Sequence, residues 1–155
     1  MKTFVLFGLI IAAAFPCGFL DQKLHPRSGV SGLVFFNTTM LSELKRFYRD
    51  EVGCEMWLDQ GSCLVFRYGN LLFGFCQGER ADRDALITFF YQQREDVDRA
   101  YAKFSETAVA PPIENPRFRI YHFYARDPEG RRLEFQHFLH PLDWDFDAVQ
   151  SRKRE

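Results

Sequence analysis

The chain has 155 residues, of which 46% are hydrophobic and 26% charged, with a formal net charge of -1. That describes one ordinary domain able to bury a core. The basic residues are spread along the chain as far as Arg154, so no single-sign field marks a nucleic acid or an acidic polymer as partner, and a small molecule or a protein is expected instead.

The N-terminus comes first. Lys2 precedes an apolar run from Phe4 to Phe15 that ends in Ala12-Ala13-Ala14-Phe15, the order of a secretory signal peptide. A membrane anchor is the less favoured reading, because ~20 apolar residues are needed to span a bilayer, and a non-native extension from an upstream start codon is the third. The first reading implies export, the last a cytoplasmic protein. All of them leave residues 1–29 outside the fold, with Leu20 to Gly29 as a linker.

From Val30 to Thr38 the aromatic and β-branched residues read as a buried strand. A helix follows, capped by Thr39 or Ser42, carrying Leu41, Leu44, Phe47 and Tyr48 at helical spacing and stopped by Gly53. Three strands come next, Cys54 to Asp59, Ser62 to Tyr68 and Leu71 to Gln77, the last two joined by Gly69-Asn70. The polar stretch Gly78 to Asp84 leads to a second aromatic strand, Ala85 to Tyr91. Asp96 then caps a helix with Val97, Ala100, Tyr101 and Phe104. Proline-rich Ala110 to Pro116 precedes two strands, Arg117 to Arg126 and Arg131 to Leu139, joined by Asp127-Pro128-Glu129-Gly130. Residues 140–155 form a tail expected to fray.

The two halves repeat each other. Arg46-Phe47-Tyr48 matches Arg99-Ala100-Tyr101, and Leu72 to Gln77 matches Arg132 to His137, which suggests duplication of one unit. With Asp127-Pro128-Glu129-Gly130-Arg-Arg-Leu-Glu134-Phe135 near the C-terminus, Phe47-Tyr48-Arg49-Asp50-x-x-Gly53 and Asp96-Val97-Asp98-x-Ala-Tyr101, the chain resembles the vicinal oxygen chelate superfamily. This is the group of glyoxalase I, extradiol dioxygenases, fosfomycin-resistance enzymes and bleomycin-binding proteins. The resemblance covers about Val30 to Leu139. It implies an α+β fold of two βαβββ modules, 30–78 and 85–139, forming a cupped mixed β-sheet with flanking helices in a single domain over 30–139. It leaves the chemistry open, because one fold hosts many activities.

Strand parity then suggests which side chains share a face. With Asp127 opposite Gly130, Phe123 lies opposite Glu134, and one face carries Arg117, Arg119, Tyr121, Phe123, Glu134, Gln136 and Phe138. The other carries Phe118, Ile120, His122, Tyr124, Leu133, Phe135 and His137 and is expected to pack on the helix, which makes His122 and His137 core histidines. In the first hairpin, with Tyr68 opposite Leu71, Leu64, Phe66, Phe73 and Phe75 form core. Cys63, Val65, Arg67, Leu72, Gly74 and Cys76 face the site. The expected ligand-binding set is therefore Arg67, Arg119, Tyr121, Phe123, Gln136, Phe138, Cys63 and Cys76, a cationic and aromatic cavity around Glu134. Cys63 and Cys76 stand opposite each other, either as small apolar side chains or as a redox or disulfide pair. The face of Trp57 is undetermined.

The four cysteines, Cys17, Cys54, Cys63 and Cys76, match no zinc spacing, and the four histidines, His25, His122, His137 and His140, form no paired metal motif. The resemblance implies a divalent ion held by one side chain from the first and one from the last strand of each module. Those positions fall near Leu33, on Gly74, near Phe89 and on Glu134. Three of the four lack a competent donor, with Asn37, Gln92 and Gln93 the nearby polar substitutes. No cofactor is therefore expected, a divalent metal being the alternative.

Three functions follow. The first is a metal-independent small-molecule binding protein, for an anionic or aromatic ligand, assembled as a homodimer. The second is a lyase, isomerase or dioxygenase with Glu134 as base or as a metal ligand. The third is a dimeric scaffold with no open site. Within the cavity, Glu134 either pairs with Arg67 or Arg119 or meets the ligand.

Overall fold

The computed structural model describes residues 32–142, so the N-terminal apolar segment, its linker and the end of the tail lie outside the described residues. Two four-stranded sheets repeat one topology. In the first, β1 (Val34–Thr38) runs parallel to β4 (Leu71–Gln77), which continues antiparallel to β3 (Cys63–Tyr68) and β2 (Glu55–Asp59). In the second, β5 (Leu86–Tyr91) runs parallel to β8 (Arg132–Phe138), followed by antiparallel β7 (Ile120–Arg126) and β6 (Ile113–Asn115). Each first strand returns through a helix, as a parallel pair requires. The first is α1 (Leu41–Arg46), which runs on as a π-helical segment, Phe47–Val52. The second is α2 (Arg94–Phe104).

The helix ends differ from expectation. The N-cap of α1 is Met40 and that of α2 is Gln93, neither with a side-chain cap. Thr38 and Thr39 instead bond Glu129, and Asp96 lies inside the first turn. Gly53, at φ 85°, ends the first helical segment as expected. The short strand β6 falls within the stretch read as a proline-rich connection. Only Ile113-Glu-Asn carries it, with Pro116 closing it off.

The helix-facing sides of the two sheets share one core. Phe47 meets Phe104 across the helices, and Tyr68 and Phe73 meet Phe89 across the sheets. Leu64, Phe66, Phe73 and Phe75 all belong to it, as the first hairpin's register implied. That hairpin pairs Tyr68 with Leu71 and Cys63 with Cys76. The bulge between Met56 and Leu58 leaves Trp57 exposed.

The second hairpin is paired one residue away from expectation. Asp127 N–H bonds the Arg131 carbonyl, so the loop holds three residues, Pro128-Glu129-Gly130, with Gly130 at φ 85°. The Asp127 side chain accepts from the N–H groups of Glu129 and Arg131, which fixes the wider turn. Phe123 therefore pairs with Phe135, and Tyr124 with Glu134. A slip of one residue exchanges the two faces of a strand. Tyr121, Phe123 and Ala125 enter the core, while Ile120, His122 and Tyr124 share the other face with Glu134 and Gln136.

One row of the first sheet needs its glycine. Phe35, Gly74, Val65 and Leu58 are successive partners across the four strands. A Cβ at Gly74 would lie 2.5 Å from the Phe35 ring and 2.6 Å from the Leu64 carbonyl oxygen. A strand glycine ordinarily costs stability relative to alanine, but the backbone contact reverses that here. Gly74→Ala is expected to lower stability by about 1–3 kcal/mol, read from the midpoint of urea unfolding. A gain in stability would contradict this packing.

Candidate functional site

The corrected register assembles a different set of side chains around Glu134. Glu134 sits on β8 between Thr88 of β5 and Tyr124 of β7. Thr88 donates its hydroxyl to Oε2 at 2.9 Å, and His122 Nδ1 lies 2.7 Å from Oε1. Glu134 and His122 are both buried. Burial first, then the Glu134 charge, hold the Tyr124 phenol above its ordinary pKa. The rings of His122 and Tyr124 meet edge to face at 5.0 Å.

His122 also borders a cavity of about 60 Å³, lined by Val109, Ala110, Pro111, Ile113, Phe123 and Tyr124. The segment ahead of β6 forms its outer wall, held by the bond from Val109 N–H to the Tyr124 carbonyl. Gln136 is the partner of His122 across the pair β7–β8 and is buried on the same face. Phe138 lies at the end of that face, edge to face with Phe90.

The other expected members lie elsewhere. Tyr121 and Phe123 face α2: the Tyr121 hydroxyl donates to Asp98, the Arg94 guanidinium covers its ring at 3.9 Å, and Phe123 stacks on Phe135. Arg119 is exposed, just before β7, with a left-handed backbone at φ 52°. Arg67 is on the first sheet and pairs with Glu55 at 3.2 Å. Glu134 thus has His122 and Thr88 as partners in place of Arg67 or Arg119. His122 is correspondingly a residue of the non-helix face, not a core histidine. His137 does face the helix side, with Nδ1 3.2 Å from the Tyr91 carbonyl. Cys63 and Cys76 form a disulfide on the non-helix face of the first sheet, and Cys54 is a buried free thiol that burial pushes up to a pKa of about 12.

Sequence reasoning missed His122, Thr88 and Tyr124. The signal was the alternation in β7, where Tyr121, Phe123 and Ala125 form a more apolar set than His122 and Tyr124. That set demands the apolar side of Leu133 and Phe135.

The parallel pairs also fix the four positions at which the resemblance implies metal ligands. They are Phe35 with Gly74 and Thr88 with Glu134, two residues from the estimate near Leu33 and one from that near Phe89. Phenylalanine and glycine offer no donor, and the Leu64 carbonyl leaves no room for a Cβ at Gly74. Asn37, a candidate substitute, is bonded to Asp82. Among the described residues, no three His, Cys, Asp or Glu side chains are grouped to hold an ion. These side chains do not fit a divalent ion, which takes several such ligands.

No protein-family profile matches the chain, and comparison with curated proteins gives no match. Solved structures do match. A lactoylglutathione lyase from Agrobacterium tumefaciens is 24% identical, with a TM-score of 0.58 over 73% of this chain and 96% of that one. A glyoxalase/bleomycin resistance protein from Albidiferax ferrireducens T118 is 22% identical, with a TM-score of 0.57 over 70% and 97%. A glyoxalase/bleomycin resistance protein/dioxygenase family enzyme from Burkholderia phytofirmans PsJN is 18% identical, with a TM-score of 0.61 over 69% and 97%. With the repeated sheet topology and the parallel pairing of first and last strands, these matches show that the chain has the glyoxalase/bleomycin resistance/dioxygenase fold.

Proposed function

We propose that the chain binds a small organic molecule on the non-helix face of the second sheet without a divalent metal. The observation that carries this reading is the joint occupancy of the four ligand positions by Phe35, Gly74, Thr88 and Glu134. The first pair is closed by a ring against a backbone, and the second is an internally bonded polar cluster. A face with buried polar atoms beside apolar walls is the usual make-up of a small-molecule site. Gln136, His122 and Phe138 supply its contacts in place of the arginines, so the ligand need not be anionic.

The test is a titration of small aromatic and aliphatic ligands, followed by NMR at residues of β5, β7 and β8, with and without EDTA. Affinities within twofold of each other in the two conditions are expected. A tenfold loss with chelator would overturn the metal-independent reading.

A second reading, an enzyme, is favoured by the 2.7 Å contact between Glu134 and His122. A carboxylate holding one imidazole nitrogen leaves the other to exchange protons with a substrate. Turnover lost in both Glu134→Gln and His122→Phe would establish it.

The homodimer belongs to the same proposal. Val34, Phe35, Trp57 and Leu58 are exposed on β1 and β2, the two edge strands of the first sheet, and apolar edge strands fit self-association. Light scattering should give twice the chain mass. A monomer at high micromolar concentration would contradict this.

A further inference from the structure

Asn37-Thr38-Thr39, at the end of β1, is the acceptor triplet for N-linked glycosylation, an asparagine followed, after any residue but proline, by threonine or serine. The other asparagines, Asn70 and Asn115, are followed by Leu-Leu and Pro-Arg and form no such triplet. A triplet alone is a weak signal, but the surroundings of this one agree with it. Asn37 and Thr39 are exposed, and β1 is an edge strand of the first sheet. The Asn37 Nδ2 donates to Asp82 Oδ2 at 3.1 Å in an exposed contact. An amide NH₂ has two hydrogens, so a sugar can replace one while the other keeps this bond. The Asn37 backbone N–H donates to the same carboxylate oxygen at 2.7 Å, so Asp82 still anchors the modified residue. Cys63 and Cys76 are joined as a disulfide, a bond that persists in the oxidising compartments through which exported chains pass. Lys2 and the apolar run from Phe4 to Phe15 have the order of a signal peptide.

We infer that Asn37 is an N-glycosylation site, modified as the chain enters the secretory pathway. The donor is an oligosaccharide carried on a lipid diphosphate. Asn37 Nδ2 attacks its anomeric carbon, so that an N–C bond forms and the C–O bond to the diphosphate breaks. The diphosphate leaves with the electron pair, and the amide nitrogen releases one proton. Transfer precedes folding, because in the folded chain the Thr39 N–H and hydroxyl both donate to Glu129 Oε1, at 2.8 and 2.9 Å, and the threonine of the triplet is no longer free for a transferase. The modification is independent of the ligand-binding face and rests on the export reading of the N-terminal segment. A glycan at Asn37 shields the β1 edge and leaves β2, at the other edge of the sheet, for self-association.

Translation of the full chain from Met1 in a cell-free extract, with and without endoplasmic-reticulum microsomes, tests both parts separately. Protection from added protease reports translocation, and sensitivity to endoglycosidase H reports the glycan. With microsomes, a protected product heavier by one glycan is expected, returned to the lighter mass by endoglycosidase H. Asn37→Gln and Thr39→Ala should each abolish the heavier product while the chain stays protected, and Thr39→Ser should retain it. Since transfer precedes folding, a variant that folds poorly still gives a clear reading. A protected parent chain without glycan, or a heavier product that survives Asn37→Gln, would overturn the site at Asn37. A chain left open to protease would overturn the export reading and the modification with it.

Discussion

Arg131→Ala is expected to destabilise the protein by about 3–5 kcal/mol, measured by urea unfolding at neutral pH. The Arg131 side chain is fully buried, with Nη1 2.5 Å from Asp127 and Nη2 3.1 Å from Glu129. Its Nε donates to the Asp82 carbonyl, and its guanidinium lies 4.8 Å from the Phe75 ring centroid. The carboxylates it holds are also the join between the two modules. Glu129 accepts from the Thr38 hydroxyl and from both the N–H and hydroxyl of Thr39, and Asp127 accepts from the Tyr48 hydroxyl. Removing the cation leaves two buried carboxylates facing each other's field with no countercharge, which is why the loss exceeds that of any surface pair. A loss below about 1 kcal/mol, the scale of an exposed pair, would show that the cluster is solvated and does not join the modules.

The same cluster sets a pH dependence. Burial raises the Glu129 carboxyl, but the Thr39 N–H, the Thr38 and Thr39 hydroxyls and Arg131 outweigh it and hold the pKa below the usual 4.5. A carboxyl lowered on folding contributes stability that is fully present above its unfolded value and is lost as pH falls through its folded value. Glu129's share is therefore complete above about pH 5 and fades below 4.5. Glu129→Gln should flatten that part of the stability profile as well as lowering the plateau.

The second large effect belongs to the Cys63–Cys76 disulfide. Its partners are 13 residues apart on adjacent strands, and closing a loop of that size restrains the unfolded chain by roughly 3 kcal/mol. The Ser62 carbonyl accepts from Gln77 N–H, so the neighbouring Cys63 and Cys76 form the non-hydrogen-bonded pair, where side chains come closest. Cys63→Ala with Cys76→Ala, or dithiothreitol on the parent chain, should each lower the unfolding free energy by about 2–3 kcal/mol. Dithiothreitol should then have no further effect on the double variant. Equal stability of the parent with and without reductant would mean that the two sulfurs are thiols.

The contrast between the hairpins explains what the sequence could disclose. Gly69-Asn70 is a two-residue turn, and its pairing put Cys63 opposite Cys76 and the four core side chains of β3 and β4 on one face. Asp127-Pro128-Glu129-Gly130 invites the same two-residue reading. Its Asp127 side chain, however, binds two backbone N–H groups beyond itself and widens the loop by one residue. That residue exchanged His122 and Tyr124 for Tyr121 and Phe123 beside Glu134, and with them the nature of the site. The repeat, the order of the elements and Glu134's place opposite a glycine in the other module needed no coordinates, because they follow from periodicity and from the matched halves. The partner of Glu134 did need them, because it depends on a turn whose geometry is set by side-chain bonds. Arg67 shows a further limit: its face was read correctly, but its salt bridge to Glu55 depends on β2, where a bulge sets the pairing.

The Glu134 position, which the resemblance assigns to a metal ligand, serves a hydrogen-bonded cluster with His122 and Thr88. Calorimetric titration of untagged protein with Zn²⁺ and with Mn²⁺, alongside Glu134→Gln, tests it most directly. No stoichiometric site that depends on Glu134 is expected for either ion. One equivalent of metal bound by the parent chain and lost in Glu134→Gln would contradict it.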